Sequence, residues 1–167
     1  VKGLVFLLHP GPSLLVTAVF VAVSVLASGR WVGGVRFVQL VFVMLPVQFA
    51  IGITNDVCDL RADRAAKPWK PLVRRVVSRG VAIVVAVVLA AGALVVAGSI
   101  RPVLVLVVAG GLACGLAYNL GLARTVVSVA PWWGAFVLLP LASFLAAGRS
   151  VAWAGVLVGL AGLLALS

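Results

Sequence analysis

The sequence predicts an all-α fold: a multi-pass bundle of membrane-spanning helices. Hydrophobic residues fill 65% of the 167 positions, and mean hydropathy is +1.33. Only 10% of residues are charged, where a soluble domain carries about 25%. Long apolar runs recur, separated by short polar breaks, and lipid offers a peptide backbone no hydrogen-bond partner, so each run must be helical.

Five complete helices and the start of a sixth are expected. The first covers 12–28, with His9-Pro10 at its entrance, and the second covers 37–54. The third covers 81–99. The fourth covers 102–119, where Pro102 suits a first helical turn. The fifth covers 126–147, with Pro131 and Pro140 as kink positions, and the sixth begins near Val151. Each is close to the ~20 residues that span a bilayer. The whole chain, 1–167, reads as a single membrane domain. Gly110-Gly111, Gly155 and Gly159 suit close helix packing. Cys58 and Cys114 provide no disulfide framework and read as reduced packing residues. No cleavable signal peptide is evident. Val1 reads as an alternative start or an internal position, and the stop at Ser167 inside an apolar run suggests a longer protein.

The formal net charge is +10. The basic residues sit between apolar runs and not on an amphipathic face, which argues against nucleic acid and for membrane topology, anionic lipid or phosphate. Arg61, Arg64, Lys67, Lys70, Arg74, Arg75 and Arg79 fall between the second and third helices, and helix alternation adds Lys2 and Arg124 to that side. Arg30, Arg36, Arg101 and Arg149 fall on the other. Nine against four places the basic loop on the cytoplasmic side of the cytoplasmic (inner) membrane.

All the acid in the chain is in one segment. Asp56, Asp59 and Asp63 are its three acidic residues, within Asn55-Asp56-Val57-Cys58-Asp59-Leu60-Arg61-Ala62-Asp63. On a helix they occupy i, i+3 and i+7, within about 60° of one face. Like charges so arranged repel, and Asp is a poor helix former. A hard cation such as Mg²⁺, held by one or two carboxylates and substrate phosphates, would compensate them, whereas Cys58 is a poor ligand for it. Pro68 disfavours helix at Lys67, so the Asp-bearing helix should end there. The chain then turns through Lys67-Pro68-Trp69-Lys70-Pro71, which folds lysines back toward the carboxylates. Carboxylates, a metal and nearby cations make a diphosphate site. Flanking membrane helices would supply an apolar chamber for a lipid tail. These features describe an enzyme that ionises a lipid diphosphate at the membrane surface. The lone His9 reads as an interfacial residue, and Trp132 and Trp133 as packing or lipid-facing residues.

Asn55-Asp56-x-x-Asp59-x-x-x-Asp63 resembles the first aspartate-rich motif, N-D-x-x-D-x-x-x-D, of the UbiA-type intramembrane prenyltransferases, including its place at the cytoplasmic end of the second helix. Lys67-Pro68-x-Lys70-Pro71-Leu72 resembles the basic loop that follows it. The specific agreement covers about residues 52–72. The resemblance implies that Asp56, Asp59 and Asp63 are catalytic carboxylates that bind Mg²⁺–diphosphate with Asn55, and that Lys67 and Lys70 contact the phosphates. It implies transfer of a prenyl group from a polyprenyl diphosphate to an aromatic or lipid acceptor, with membrane lipid as the surrounding partner. Tyr118, Asn119 and Arg124 fall where the family has a Tyr and basic residues near its site. Two departures stand out. Val73-Arg74-Arg75 replaces the family's small, Gly-containing turn, and no acidic residue follows Asp63, whereas the family carries a second aspartate-rich motif in the later half of a nine-helix fold. The chain is therefore expected to be the N-terminal half of such an enzyme.

Two other readings account for less. A CDP-alcohol phosphatidyltransferase also sets Asp and Mg²⁺ at a membrane surface, but through D-G-x-x-A-R and a later D-x-x-x-D; Asp59-Leu60-Arg61-Ala62 lacks the Gly, and no later pair exists. A membrane transporter or ion-binding protein would place carboxylates along an ion path. Here they lie at a helix end beside a dense basic loop.

Overall fold

An apolar run in lipid has one way to satisfy its backbone, and the computed structural model, which describes residues 6–150, adopts it throughout. Five α-helices follow one another: α1 (Pro10–Ser28), α2 (Gly34–Ala66), α3 (Arg79–Ile100), α4 (Pro102–Leu120) and α5 (Val129–Ala146), with a single 3₁₀ turn (Leu122–Arg124) between α4 and α5. All five are long and apolar enough to cross a membrane. There is no strand among the described residues. The expected sixth helix from Val151 lies outside them, as does Lys2.

The element order matches expectation, and the differences have local causes. Helix α2 is continuous for 33 residues, so the span expected at 37–54 and the aspartate face are one rigid rod. At 1.5 Å per residue it is about 50 Å long, against an apolar layer of about 30 Å. Its last turns therefore carry the aspartates to the boundary of that layer. Helix α5 starts at Val129 and not at 126, because the 3₁₀ turn and further tight turns take up 122–128. Pro131 consequently sits in the first turn of α5, where its missing N–H costs nothing, and is not a kink position. Pro140 lies inside α5 and Pro46 inside α2.

Helix α2 packs against α1, α3 and α4, and α5 closes against α4 and α1. The packing follows membrane rules. Along α3 the buried residues are Ala82, Ala86, Ala93 and Ala97, a stripe within about 60° of one face. Val84, Val87, Val88 and Val95 on the same helix are exposed. Small residues let backbones approach while branched ones face lipid, the inverse of a soluble amphipathic helix. The buried hydroxyls are satisfied within the bundle: Ser24 Oγ donates to the Phe20 carbonyl at 2.7 Å and Ser143 Oγ to that of Leu139 at 3.0 Å.

Gly115 lets α4 pack tightly against Ile51 of α2. A Cβ there would lie 2.6 Å from Ile51 Cδ1 and 2.8 Å from its Cγ1. Ile51 is β-branched and stiff, so it cannot yield freely. Gly115→Ala is expected to destabilise the bundle by about 1–3 kcal/mol, whereas Gly92→Ala, which meets nothing within 4 Å, should be neutral or stabilising. Ile51→Ala in the Gly115→Ala background should recover part of the loss. Unfolding of the four proteins in detergent checks this ordering.

Candidate active site

Positions seven apart on a helix return to nearly the same direction, whereas a residue three along leans to one side. This separates the three aspartates. Asp56 and Asp63 point the same way and are buried, at 1% and 4% exposure. Asp59 leans toward α4 and is only half-buried.

Two buried carboxylates on one face need a cation between them, and Lys70 supplies it. Its Nζ donates to Asp56 Oδ1 at 2.6 Å and to Asp63 Oδ2 at 2.5 Å. The loop is built to deliver this ammonium. Lys67 ends α2, its backbone N–H bonding back to Asp63 O, and Pro68 prevents continuation. Lys70 N–H then bonds to Lys67 O, and Arg74 N–H to Lys70 O, so 67–76 coils into successive turns. Leu72 and Val77 anchor it in the core, and Ser78 caps α3 by accepting from Val81 N–H at 3.2 Å. Burial works against the Lys70 charge, but the hydrogen bonds and charges of Asp56 and Asp63 outweigh it and hold its pKa above the ordinary 10.5. Lys67, half exposed, lies 3.6 Å from Asp63 Oδ1.

His9 completes the cluster from another helix. Its Nε2–H donates to Asp56 Oδ1 at 2.9 Å, since an ionised carboxylate can only accept. The residue sits ahead of α1 in the left-handed region, at φ 47°, a conformation uncommon outside glycine but one that His adopts more readily than most side chains. Gly52 admits the ring: a Cβ there would lie 3.1 Å from His9 Cδ2. Gly52 is one helical turn before Asp56, so the missing side chain opens the path along which His9 reaches it. Reading the sequence as interfacial for His9 missed this contact. Its one local signal was a glycine four residues ahead of the first aspartate.

The remaining predicted residues join α2 to α4. Asn55 Nδ2 donates to Asp59 Oδ2 at 3.2 Å and to Asn119 Oδ1 at 3.3 Å. Asn119 Nδ2 donates to the Ile51 carbonyl at 2.8 Å. Arg124 Nη2, largely exposed, reaches Asp59 Oδ1 at 3.1 Å. Tyr118 is not among the carboxylates. Its ring meets Trp132 edge-on at 5.8 Å, and Trp132 stacks on Phe136 at 6.0 Å. These aromatics line a cavity of about 300 Å³ between α1, α2, α4 and α5, whose other walls include Val47, Ile51 and Leu139. Asn119 lines the same cavity, so one residue borders both the apolar chamber and the polar network.

The UbiA prenyltransferase family model matches residues 14–167, nearly the whole chain. The chain belongs to the UbiA prenyltransferase family. No curated protein and no solved structure matches it significantly. UbiA membership implies a membrane prenyltransferase, and the family is generally Mg²⁺-dependent. The residues fit such an ion in one respect that the structure makes visible. Asp56 Oδ2 is buried without a hydrogen-bond partner among the described residues, while Oδ1 of the same carboxylate already accepts from both His9 and Lys70. No group of three or more His, Cys, Asp or Glu among the described residues could enclose a metal alone. Mg²⁺ does not require one, because it is commonly held by one or two carboxylates with water and substrate phosphates.

Removing Lys70 should expose the repulsion it relieves. Lys70→Met is expected to cost roughly 3 kcal/mol, as for breaking a buried ion pair, whereas Lys67→Met should cost under about 1 kcal/mol as an exposed pair. Because the Lys70 pKa is raised on folding, its contribution is complete below the ordinary lysine value and is lost only as pH climbs through the raised one. Unfolding of both variants and the parent in detergent, at neutral and strongly alkaline pH, checks the magnitudes and the sign.

Proposed function

We propose that this chain binds a polyprenyl diphosphate with its diphosphate at the Asp56–Asp59–Asp63 face and its tail in the apolar cavity, and transfers the prenyl group to an aromatic or lipid acceptor within the membrane. The supporting observation is Asn119, which lines the cavity and hydrogen-bonds Asn55 beside the carboxylates. A lipid whose head lies in the network would have its tail in the chamber. At about 300 Å³ the chamber sits at the lower end of small-molecule pockets, roughly 300–1,000 Å³.

Each residue has a role that its position supports. Asp56 and Asp63, with Asp59 and Asn55, would hold Mg²⁺. When bound, the ion would neutralise charge on the departing diphosphate. Lys70 would leave the carboxylates for the phosphates as substrate arrives, exchanging one set of anions for another, with Lys67 and Arg124 at the exposed edge. His9 would keep Asp56 oriented through the exchange. The faces of Tyr118, Trp132 and Phe136 would line the region where an allylic cation develops, and aromatic faces stabilise positive charge without offering a nucleophile. The nine-to-four distribution of basic residues favours a cytoplasmic site in the cytoplasmic membrane.

Asp56→Ala and Asp59→Ala in the full-length protein should each lower Mg²⁺-dependent release of diphosphate from a prenyl diphosphate by about 100-fold or more, in line with loss of a key electrostatic contact to a developing charge. Normal turnover in either variant would sink the reading.

A bulky residue in the chamber tests where the tail lies. Ala135 lines it, and Ala135→Phe should raise KM for long prenyl diphosphates by about tenfold while sparing the shortest donors, since each displaced methylene is worth about 1–3 kcal/mol. Equal effects on all chain lengths would place the tail elsewhere.

A further inference from the structure

At the end of the bundle opposite the aspartates, four arginines border one groove. It has a volume of about 850 Å³ and lies where the α1–α2 connection, the α3–α4 junction and the end of α5 meet. Arg30 comes from the first, Arg36 from the first turn of α2 just after it, Arg101 from the second and Arg149 from the third. Every acidic side chain of this sequence is at the other end, on Asp56, Asp59 or Asp63. No carboxylate side chain of this chain can therefore offset the cluster. Gathering guanidiniums without an anion is unfavourable through repulsion and, where they are buried, through desolvation.

Part of the cluster has a structural purpose. Arg149 Nε donates to the Ala27 carbonyl at 2.6 Å, in the last turn of α1. Unpaired carbonyls and the negative end of the helix dipole favour a cation there. Arg101 Nη1 donates to the Arg149 carbonyl at 2.9 Å and so ties the α3–α4 junction to the end of α5. Each bond uses one of the five donors on a guanidinium. Latching does not account for Arg30 and Arg36. Their side chains make no hydrogen bond to another described residue, and Arg36 Nη1 is buried without a partner. Trp31, exposed and stacked on Phe37 at 5.7 Å, stands between them. An exposed Trp at a helix end marks headgroup depth in a bilayer.

We infer that this groove is a second anion site, distinct from the aspartate face, and that it takes a phosphate group. Planar guanidiniums present paired donors that match phosphate oxygens, and four of them, from separate parts of the fold, line this one groove. The phosphate can belong to an anionic lipid headgroup or be free in solution.

The full chain, purified in neutral detergent, is titrated with phosphatidylglycerol, with phosphatidylcholine and with inorganic phosphate, and bound lipid is counted by native mass spectrometry. The protein should retain phosphatidylglycerol over phosphatidylcholine. The double variant Arg30→Gln/Arg36→Gln should bind it about tenfold more weakly, the loss expected from a charge-assisted contact. Arg36→Gln alone serves if the double variant does not fold. Arg61→Gln/Arg74→Gln, which removes the same charge at the other end, should bind as the parent does. Displacement of the lipid by inorganic phosphate would identify free phosphate as the ligand; retention against it would identify the headgroup. Equal binding by parent and groove variants, or an equal loss in the variant at the other end, would overturn the site.

Discussion

Two carboxylates buried on one helix face cannot both stay ionised unless a cation lies between them, and in this protein that cation is the ammonium of Lys70. Much of the local architecture follows from this requirement. Helix α2 must run unbroken past the apolar layer, so that Asp56 and Asp63 share a direction at its boundary. The chain must then reverse within a few residues, which the helix end at Lys67, Pro68 and the coiled turns of 67–76 accomplish. Any metal or diphosphate that uses these carboxylates must compete with an ammonium already in place. The arrangement is therefore held by one ammonium shared between two buried carboxylates.

The second constraint is steric. Two of the contacts near the carboxylate end of α2 are made where a residue lacks a side chain. Gly52 admits the His9 ring and Gly115 admits Ile51. Between them lies the Asn55–Asn119–Ile51 network, which fixes the position of α4 against α2. The same contact sets the mouth of the apolar cavity. Helix packing and site geometry are thus one problem here, since separating α4 from α2 would both widen the chamber and release Asn55 from its second partner.

What was legible in the sequence was local. Apolar run length is a property of consecutive residues, and so four of the five helices are readable to within about three positions, whereas the apolar span expected at 37–54 continues through the polar aspartate segment to Ala66. The aspartate register and the stop before Pro68 are likewise short-range. Lys70 could be placed near the carboxylates because only a turn separates them. His9 could not, since it lies 47 positions from Asp56 and nothing near it in the chain distinguishes a site histidine from an interfacial one. Tyr118 is expected near the site as a substrate-binding residue; its helical position turns it toward Trp132 and into the cavity wall, while its neighbour Asn119 faces Asn55. One step along a helix is about 100° of rotation, enough to separate a chamber residue from a network residue. The α5 boundary moved for a local reason: Val126, Val127 and Ser128 are taken into tight turns, with Ser128 N–H bonding to Thr125 O and Ala130 N–H to Val127 O, although their composition matches the helix that follows.

Charge distribution links the two ends of the bundle. A chain with thirteen Lys and Arg and three Asp carries an excess of +10 that it cannot neutralise internally. At the α2 terminus the cations at least meet carboxylates, and the pairs there are arranged in tiers from the buried Lys70 to the exposed Arg124. At the other end the arginines meet only backbone carbonyls and each other. Repulsion alone would splay exposed guanidiniums into water, and Arg30 is free to do so. Arg36 is not, because its Nη1 is already enclosed. An enclosed guanidinium nitrogen without a partner is among the costlier features a membrane protein can carry. An oxyanion in the groove would offset the summed charge of its four arginines in the way Lys70 offsets the carboxylates, with the signs reversed.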